Sequence, residues 1–176
     1  MDAFEIVISD SPYEMLIRPD SSSLIDSVFF VRTDSGSFPY QDWTDFSLCL
    51  LSHWCENMLR MPTGKNAKCT LYFMDGPYWF DVEKKGDVYE FQGRWDKKDY
   101  QKDFEGSFTF QCSLEEFFSE ILRAFRKIIK ILNQKQAEEA VQNSVKEIYR
   151  HYKKMVAQYM EGRSKPLKMS ENNGEN

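Results

Sequence analysis

Few side chains in this sequence combine the residue types and the spacing that catalysis requires. The two histidines, His53 and His151, fall in segments that predict a buried helix and a polar helix, so neither is an expected base for a nucleophile. Cys49, His53 and Cys55 come nearest to a zinc ligand set, but Cys55 lies off the helix face that Cys49 and His53 share. We therefore predict a non-enzymatic protein with no catalytic residues, no metal site and no cofactor.

A group of aspartates between residues 75 and 103 could hold a divalent cation or act in acid–base chemistry. Their spacing matches neither a calcium-binding loop nor a catalytic pair, and solvated loops explain them more simply. A metal-dependent enzyme that uses these loop carboxylates stays open as an alternative. The residues are Asp75, Asp81, Asp87, Asp96, Asp99 and Asp103.

The stretch from residue 75 to 105 also holds eight aromatic side chains among many charges. One face of a sheet cannot bury all of them, and Tyr and Trp beside charged residues are typical of protein interfaces. The competing interpretation is that Trp79 and Trp95 are ordinary core residues, in which case the interface lies on the acidic loops of residues 10–45. The residues that we expect to contact a partner are Trp79, Asp81, Trp95, Asp96, Asp99 and Tyr100.

Composition and charge limit the class of protein and of partner. A chain of 176 residues with 41% hydrophobic residues predicts one globular domain, residues 1–162, and a disordered polar tail, residues 163–176. The net charge of −5 argues against nucleic-acid or anionic-membrane binding as the dominant activity. The charge is uneven, at −7 for residues 1–60 and +3 for residues 113–176. A basic protein partner is the expectation that follows.

The expected compartment is the cytoplasm. The first residues, MDAFEIVIS, lack the basic region of a secretory signal, and no apolar run is long enough to span a membrane. The four cysteines stand in apolar surroundings, which favours buried, reduced thiols over disulfides.

The pattern of elements predicts an α+β fold. We expect a buried helix over Asp42–Leu59, begun by Asp42 or Thr44, with Asp45 favouring the helix dipole. Alternating or β-rich runs predict strands near residues 4–8, 14–18, 27–32, 67–74, 77–83, 87–95 and 107–112, the first two forming a hairpin. Together these strands predict one mainly antiparallel sheet of four to seven strands.

Two further helices should pack on that sheet. Ser113 and Glu116 predict a capping box at the start of an amphipathic helix that ends near Leu132. A third helix is expected over about 135–159, antiparallel to the second. The predicted fold is thus a single α+β domain with two or three helices on a mainly antiparallel sheet. The order of its strands stays open.

Two segments, FPYQDWTDFSLCLLSHW and LYFMDGPYWF, followed by a late sheet-packing helix, resemble small cytosolic immunity proteins that bacteria encode beside polymorphic or contact-dependent toxins. The resemblance covers residues 38–82 and the general layout. It implies a non-enzymatic inhibitor of one cognate toxin domain, often a nuclease. An acidic N-terminal third suits this role, because acidic residues can occupy a cationic site and speed encounter. A self-associating structural or regulatory protein is the third possibility, and both a monomer and a homodimer stay open.

Overall fold

The computed structural model describes residues 3–9, 16–17, 25–96 and 107–164. These residues form one α+β domain with two antiparallel sheets and three helices, which confirms the predicted fold class. The strands expected as one sheet are divided between two, because the strands before residue 47 all pair with one central strand, whereas those from residue 68 onward pair with one another.

The first sheet contains five strands: β1 (Phe4–Ile8), β2 (Leu16–Ile17), β3 (Ile25–Thr33), β4 (Gly36–Phe38) and β5 (Thr44–Phe46). All the others pair antiparallel with β3. The predicted hairpin between residues 4–8 and 14–18 is wrong. Both segments pair with β3 instead, because this nine-residue strand is long enough to offer backbone partners to each of them.

The second sheet has the strand order β6 (Lys68–Tyr72), β7 (Tyr78–Lys85), β8 (Val88–Trp95) and β9 (Thr109–Cys112). Each of these strands was expected, β8 and β9 from their alternating patterns, β6 from an alternating or apolar run, and β7 as the returning strand of a hairpin. One face points into the core and the other, which we call the outer face, carries charged and polar side chains. This is the one-sided burial that alternation predicts for an antiparallel sheet.

The first helix, α1 (Ser47–Leu59), begins five residues later than expected. Thr44 to Phe46 form β5 instead, because their pairing with β3 satisfies backbone groups that a helix start would leave free. Asp42 has a left-handed φ of 67° and does not cap the helix. The expected burial on most sides of this helix is confirmed.

The free edge of β6 is covered by side chains of α1. Trp54 Nε1 donates to the Tyr72 carbonyl at 2.8 Å, and Asn57 Nδ2 donates to the Thr70 carbonyl at 3.2 Å, along the edge of β6. Such contacts satisfy edge groups that would otherwise be open to another strand. Helix α1 therefore holds β6 in place as well as filling the core.

Helices α2 (Leu114–Gln134) and α3 (Glu139–Ser164) form the predicted antiparallel pair. The capping box between Ser113 and Glu116 is confirmed. The α3 helix begins later than expected, after a turn in which Gln136 has a φ of 53°. Aromatic contacts fix the helix pairing: Phe118 meets Tyr159 at 6.1 Å and Phe125 meets Tyr152 at 5.7 Å between ring centroids.

Candidate functional site

Three large hydrophobic side chains are exposed among the described residues, and all three belong to the segments that flank β5 and β6. Tyr40 is 46% exposed, Tyr72 is 54% exposed and Met74 is 48% exposed. Tyr40 precedes β5, Tyr72 ends β6, and Met74 lies in the turn between β6 and β7. Asp42 and Asp75 are exposed in the same two segments. We call the surface formed by Tyr40, Asp42, Tyr72, Met74 and Asp75 the turn surface.

The indole of Trp43 joins the two segments of the turn surface. Its ring meets the rings of Tyr40 and Tyr78 edge-on, with centroids 5.3 and 5.0 Å away. A Cβ placed on Gly76 would lie 2.7 Å from Trp43 Cη2, and Gly76 also has a φ of +98°. Only glycine suits both the conformation and the close approach. The β6–β7 turn is therefore packed directly on the segment that carries Tyr40.

A buried carboxylate holds the same turn through its backbone. Asp45 is 1% exposed, and its Oδ2 accepts the N–H groups of Met74 at 3.0 Å and Asp75 at 3.3 Å. Its carboxylate also accepts from the Phe46 N–H at 2.7 Å and from Trp43 Nε1 at 3.4 Å. Burial raises the pKa of Asp45 above its ordinary value, and the four donated bonds oppose that rise. Asp45 thus fixes the turn, and its predicted role at a helix start was wrong.

Trp79 extends the turn surface onto the outer face of the second sheet. It pairs with Tyr72 across β6 and β7, with ring centroids 6.5 Å apart. Trp79 is half-buried, and it does not belong to the hydrophobic core. Asp81 follows on the same face, where its Oδ2 pairs with Arg94 Nε at 3.2 Å. Trp79 and Asp81 therefore lie on the outer face of β7, Trp79 beside Tyr72 of the turn surface.

The remaining predicted residues divide into three groups. Trp95 packs partly buried against the core, opposite Tyr78, as the competing core interpretation expects. The Asp96 N–H donates to the Pro77 carbonyl at 3.1 Å, which places Asp96 beside the β6–β7 turn. Asp99 and Tyr100 lie outside the described residues.

Sequence reasoning did not select Tyr40, Tyr72 and Met74. Tyr72 had a usable signal, because it shares the alternation phase of Lys68 and Thr70 and so belongs on the wet face of β6. Tyr40 and Met74 lie in turns, where no periodic pattern indicates which side chains stay exposed. Their exposure follows from how Trp43 and Asp45 hold the two turns.

The charges of the outer face and of the turn surface differ. A concave depression of about 460 Å³ on the outer face is lined mainly by charged and polar side chains of β6, β7 and β8. Its charges are largely paired, with Glu83 contacting Lys68 at 3.3 Å and Lys85 at 2.7 Å. In contrast, neither Asp42 nor Asp75 makes an ion pair with a described residue. The turn surface is therefore aromatic and acidic, whereas the outer face is close to neutral.

The described part of the chain brings together no group of three His, Cys, Asp or Glu residues that could hold a metal ion. His53 Nε2 contacts the Asn57 amide at 3.1 Å.

None of the helices in the described ranges is long and apolar enough to cross a membrane. Comparison of this chain with models of protein families, with curated proteins and with solved structures found no match.

Proposed function

We propose that this chain is a protein-binding module and that its partner docks on the turn surface. The observation that carries the proposal is the grouping of Tyr40, Tyr72 and Met74, the large hydrophobic side chains exposed in the described chain, on two adjoining segments. Tyr and Met are enriched at protein interfaces, and grouped exposed apolar residues mark interaction sites. Isolated exposed residues of this kind would carry no such meaning.

The rigidity of the turn surface supports the same proposal. The Asp45 carboxylate and the Trp43 ring hold both segments in a fixed conformation before any partner arrives. Binding then costs less conformational entropy, because the loops are already ordered. A few such side chains can carry a large part of the binding energy.

The acidic residues indicate the charge of the partner. Asp42 and Asp75 are exposed on the turn surface, and Asp96 lies beside it. A basic protein surface complements this charge, and the attraction would speed encounter. With the resemblance to immunity proteins, we propose that the partner is a basic bacterial toxin domain, such as a nuclease. The chain would inhibit it in the bacterial cytoplasm by covering its cationic substrate site.

The proposal predicts a toxin gene beside the gene for this chain, and titrating the chain into that toxin domain, with calorimetry as the readout, tests the interface. Tyr72→Ala and Trp79→Ala should each raise the Kd by about tenfold or more, because truncation of an interface aromatic typically removes about 2 kcal/mol. The melting temperature should change little, since neither side chain belongs to the core. Tyr149→Ala is the control: it removes a half-buried aromatic of α3 that packs against the core, so it should lower the melting temperature but leave the Kd unchanged.

Charge reversal separates steering from contact. Asp75→Lys should slow association with the toxin domain, and the effect should shrink at high salt. Asp87→Lys changes an exposed acid in the turn at the opposite end of β7 and should have little effect. Wild-type affinity in Tyr72→Ala, Trp79→Ala and Asp75→Lys would overturn the turn surface as the interface. A concentration-dependent mass in light scattering that Tyr72→Ala abolishes would assign the surface to a second copy of the chain instead.

A further inference from the structure

The helical pair α2–α3 carries a positive charge that the rest of this acidic protein lacks. Residues 121–160 contain nine basic and three acidic residues. Five of the basic residues follow one side of the seam between the two helices, and we call them the cationic strip: Arg126, Lys130, Lys146, Arg150 and Lys153. Such a concentration of one charge sign is an electrostatic footprint for an anionic partner.

Contacts within the seam place these side chains. The ring of Phe125 meets the rings of Tyr149 at 6.5 Å and Tyr152 at 5.7 Å. Successive residues of a helix are about 100° apart around its axis. Arg126 follows Phe125 on α2 and Arg150 follows Tyr149 on α3, so the two arginines flank the same side of the seam, one on each helix. The antiparallel pairing brings these two arginines to the same level along it.

The other members of the strip follow from helical spacing. Lys130 lies one turn beyond Arg126, and Lys146 and Lys153 lie one turn on either side of Arg150. The opposite side of α3 faces α1, because Glu147, Ile148 and His151 line a groove there with Ser52. The three residues of the strip on α3 therefore lie on the side of that helix next to α2, away from the groove.

The cations of the strip have no ion-pair partner among the described residues. Lys146 is half-exposed and the other four side chains are exposed. Arg123 of the same helix behaves differently, since it contacts Glu5, Glu120 and the Ile6 carbonyl and so joins α2 to β1. Arg123 is therefore engaged in contacts within the fold, whereas the side chains of the cationic strip can contact a ligand.

We propose that the cationic strip binds the phosphate backbone of nucleic acid without reading its sequence. A protein partner would require an apolar centre to the interface, and no large exposed hydrophobic residue of the described chain lies on the strip. Phosphate binding requires only positioned cations. On α3 the strip extends for about 10 Å, and the two helix axes of such a pair lie about 8–10 Å apart. Binding should be weak, because the whole chain carries a charge of −5. It should depend strongly on salt, because contacts between cations and phosphates release counterions.

The test measures fluorescence anisotropy of a fluorescein-labelled 20-base-pair duplex of arbitrary sequence, titrated with the full chain at several salt concentrations. The logarithm of the association constant should fall linearly with the logarithm of salt concentration, with a slope no steeper than about −4.5 for five cations. The double variant Arg126→Gln with Arg150→Gln should weaken binding and reduce the slope by about 2. Circular dichroism melting verifies that this variant is folded.

The control variant replaces two cations outside the strip, Lys65→Gln with Lys84→Gln, neither of which pairs with a described acid. It should bind like the wild type. A Kd weaker than about 10⁻⁴ M at low salt, or equal weakening by both double variants, would overturn the proposal. Displacement of the duplex by polyglutamate as effective as that by unlabelled duplex would assign the strip to an acidic protein instead.

The cationic strip and the turn surface lie on different elements, so a result that overturns one of the two proposals leaves the other standing. Tyr72→Ala should leave duplex binding unchanged, and the arginine double variant should keep the turn surface intact. Loss of duplex binding in Tyr72→Ala would show that the duplex contacts the turn surface and would overturn its assignment to the strip.

Discussion

The carboxylate of Asp45 accepts the backbone N–H of Met74 at 3.0 Å, across 29 positions of sequence. This bond and its neighbour to Asp75 join β5 to the β6–β7 turn, so two separate sheets share one buried acceptor. The exposure of Met74 follows from these bonds, because the buried Asp45 carboxylate holds the backbone of the turn on its inner side while the Met74 side chain stays in solvent.

The buried Asp45 should make stability depend on pH. Desolvation raises its pKa in the folded chain above the ordinary value of 3.8, so the folded state holds this proton more tightly than the unfolded state. Wild-type stability should therefore rise, relative to Asp45→Asn, as pH falls from neutral through the raised pKa, and the difference should level off below 3.8. Urea denaturation at a series of pH values measures this difference. Parallel curves for the two proteins would show that Asp45 does not titrate differently on folding.

Gly76→Ala should destabilise the chain by about 2–4 kcal/mol. The added Cβ would meet Trp43 at 2.7 Å, and alanine also disfavours the positive φ. Gly86→Ala is the control, since Gly86 has a φ of +67° and nothing within 4 Å of its Cβ position. It should lose only about 1 kcal/mol, which reports the backbone strain alone. Equal losses in denaturant titrations would mean that Trp43 moves aside without cost.

All four cysteines should react slowly with a thiol reagent in the folded chain. Burial raises the pKa of Cys69 to about 11 and that of Cys55 to about 12, and it raises the pKa values of Cys49 and Cys112 as well. Relative to an ordinary value of 9.0, the thiolate fraction of Cys69 at pH 8 falls about a hundredfold. Absorbance after addition of the reagent, with and without denaturant, measures the effect. Fast native labelling of the half-buried Cys49 would contradict it.

Removal of α3 should lower the melting temperature by about 10 °C or more. The helix buries Val145, Tyr152 and Val156, and each buried side chain contributes about 1.5 kcal/mol or more. A chain that ends at Leu132 should show this loss in thermal melting. A chain that ends at Ser164 keeps every described residue of α3 and is the reference. Equal melting temperatures would show that α3 contributes nothing to the core.

The strongly patterned elements could be predicted from the sequence alone. Ser113 and Glu116 begin α2 as expected, because a capping box and a 3.6-residue apolar period are local signals. The alternation of Val88–Trp95 likewise predicted both β8 and its wet face. The exposed side of an element follows from its period whenever one face alone is buried.

Long-range partners decided the rest. Thr44–Phe46 has the residues of a helix start, but pairing with β3 makes it a strand, and local propensity cannot anticipate partners 16 to 20 positions away. The division of the strands into two sheets has the same cause. Trp79 and Trp95 belong to one aromatic-rich stretch, yet only Trp95 packs against the core, because the register of β7 and β8 points their side chains to opposite faces. Tertiary contacts through Asp45 and Trp43 then determined that Tyr40 and Met74 join the turn surface, and no spacing in the sequence encodes contacts of that range.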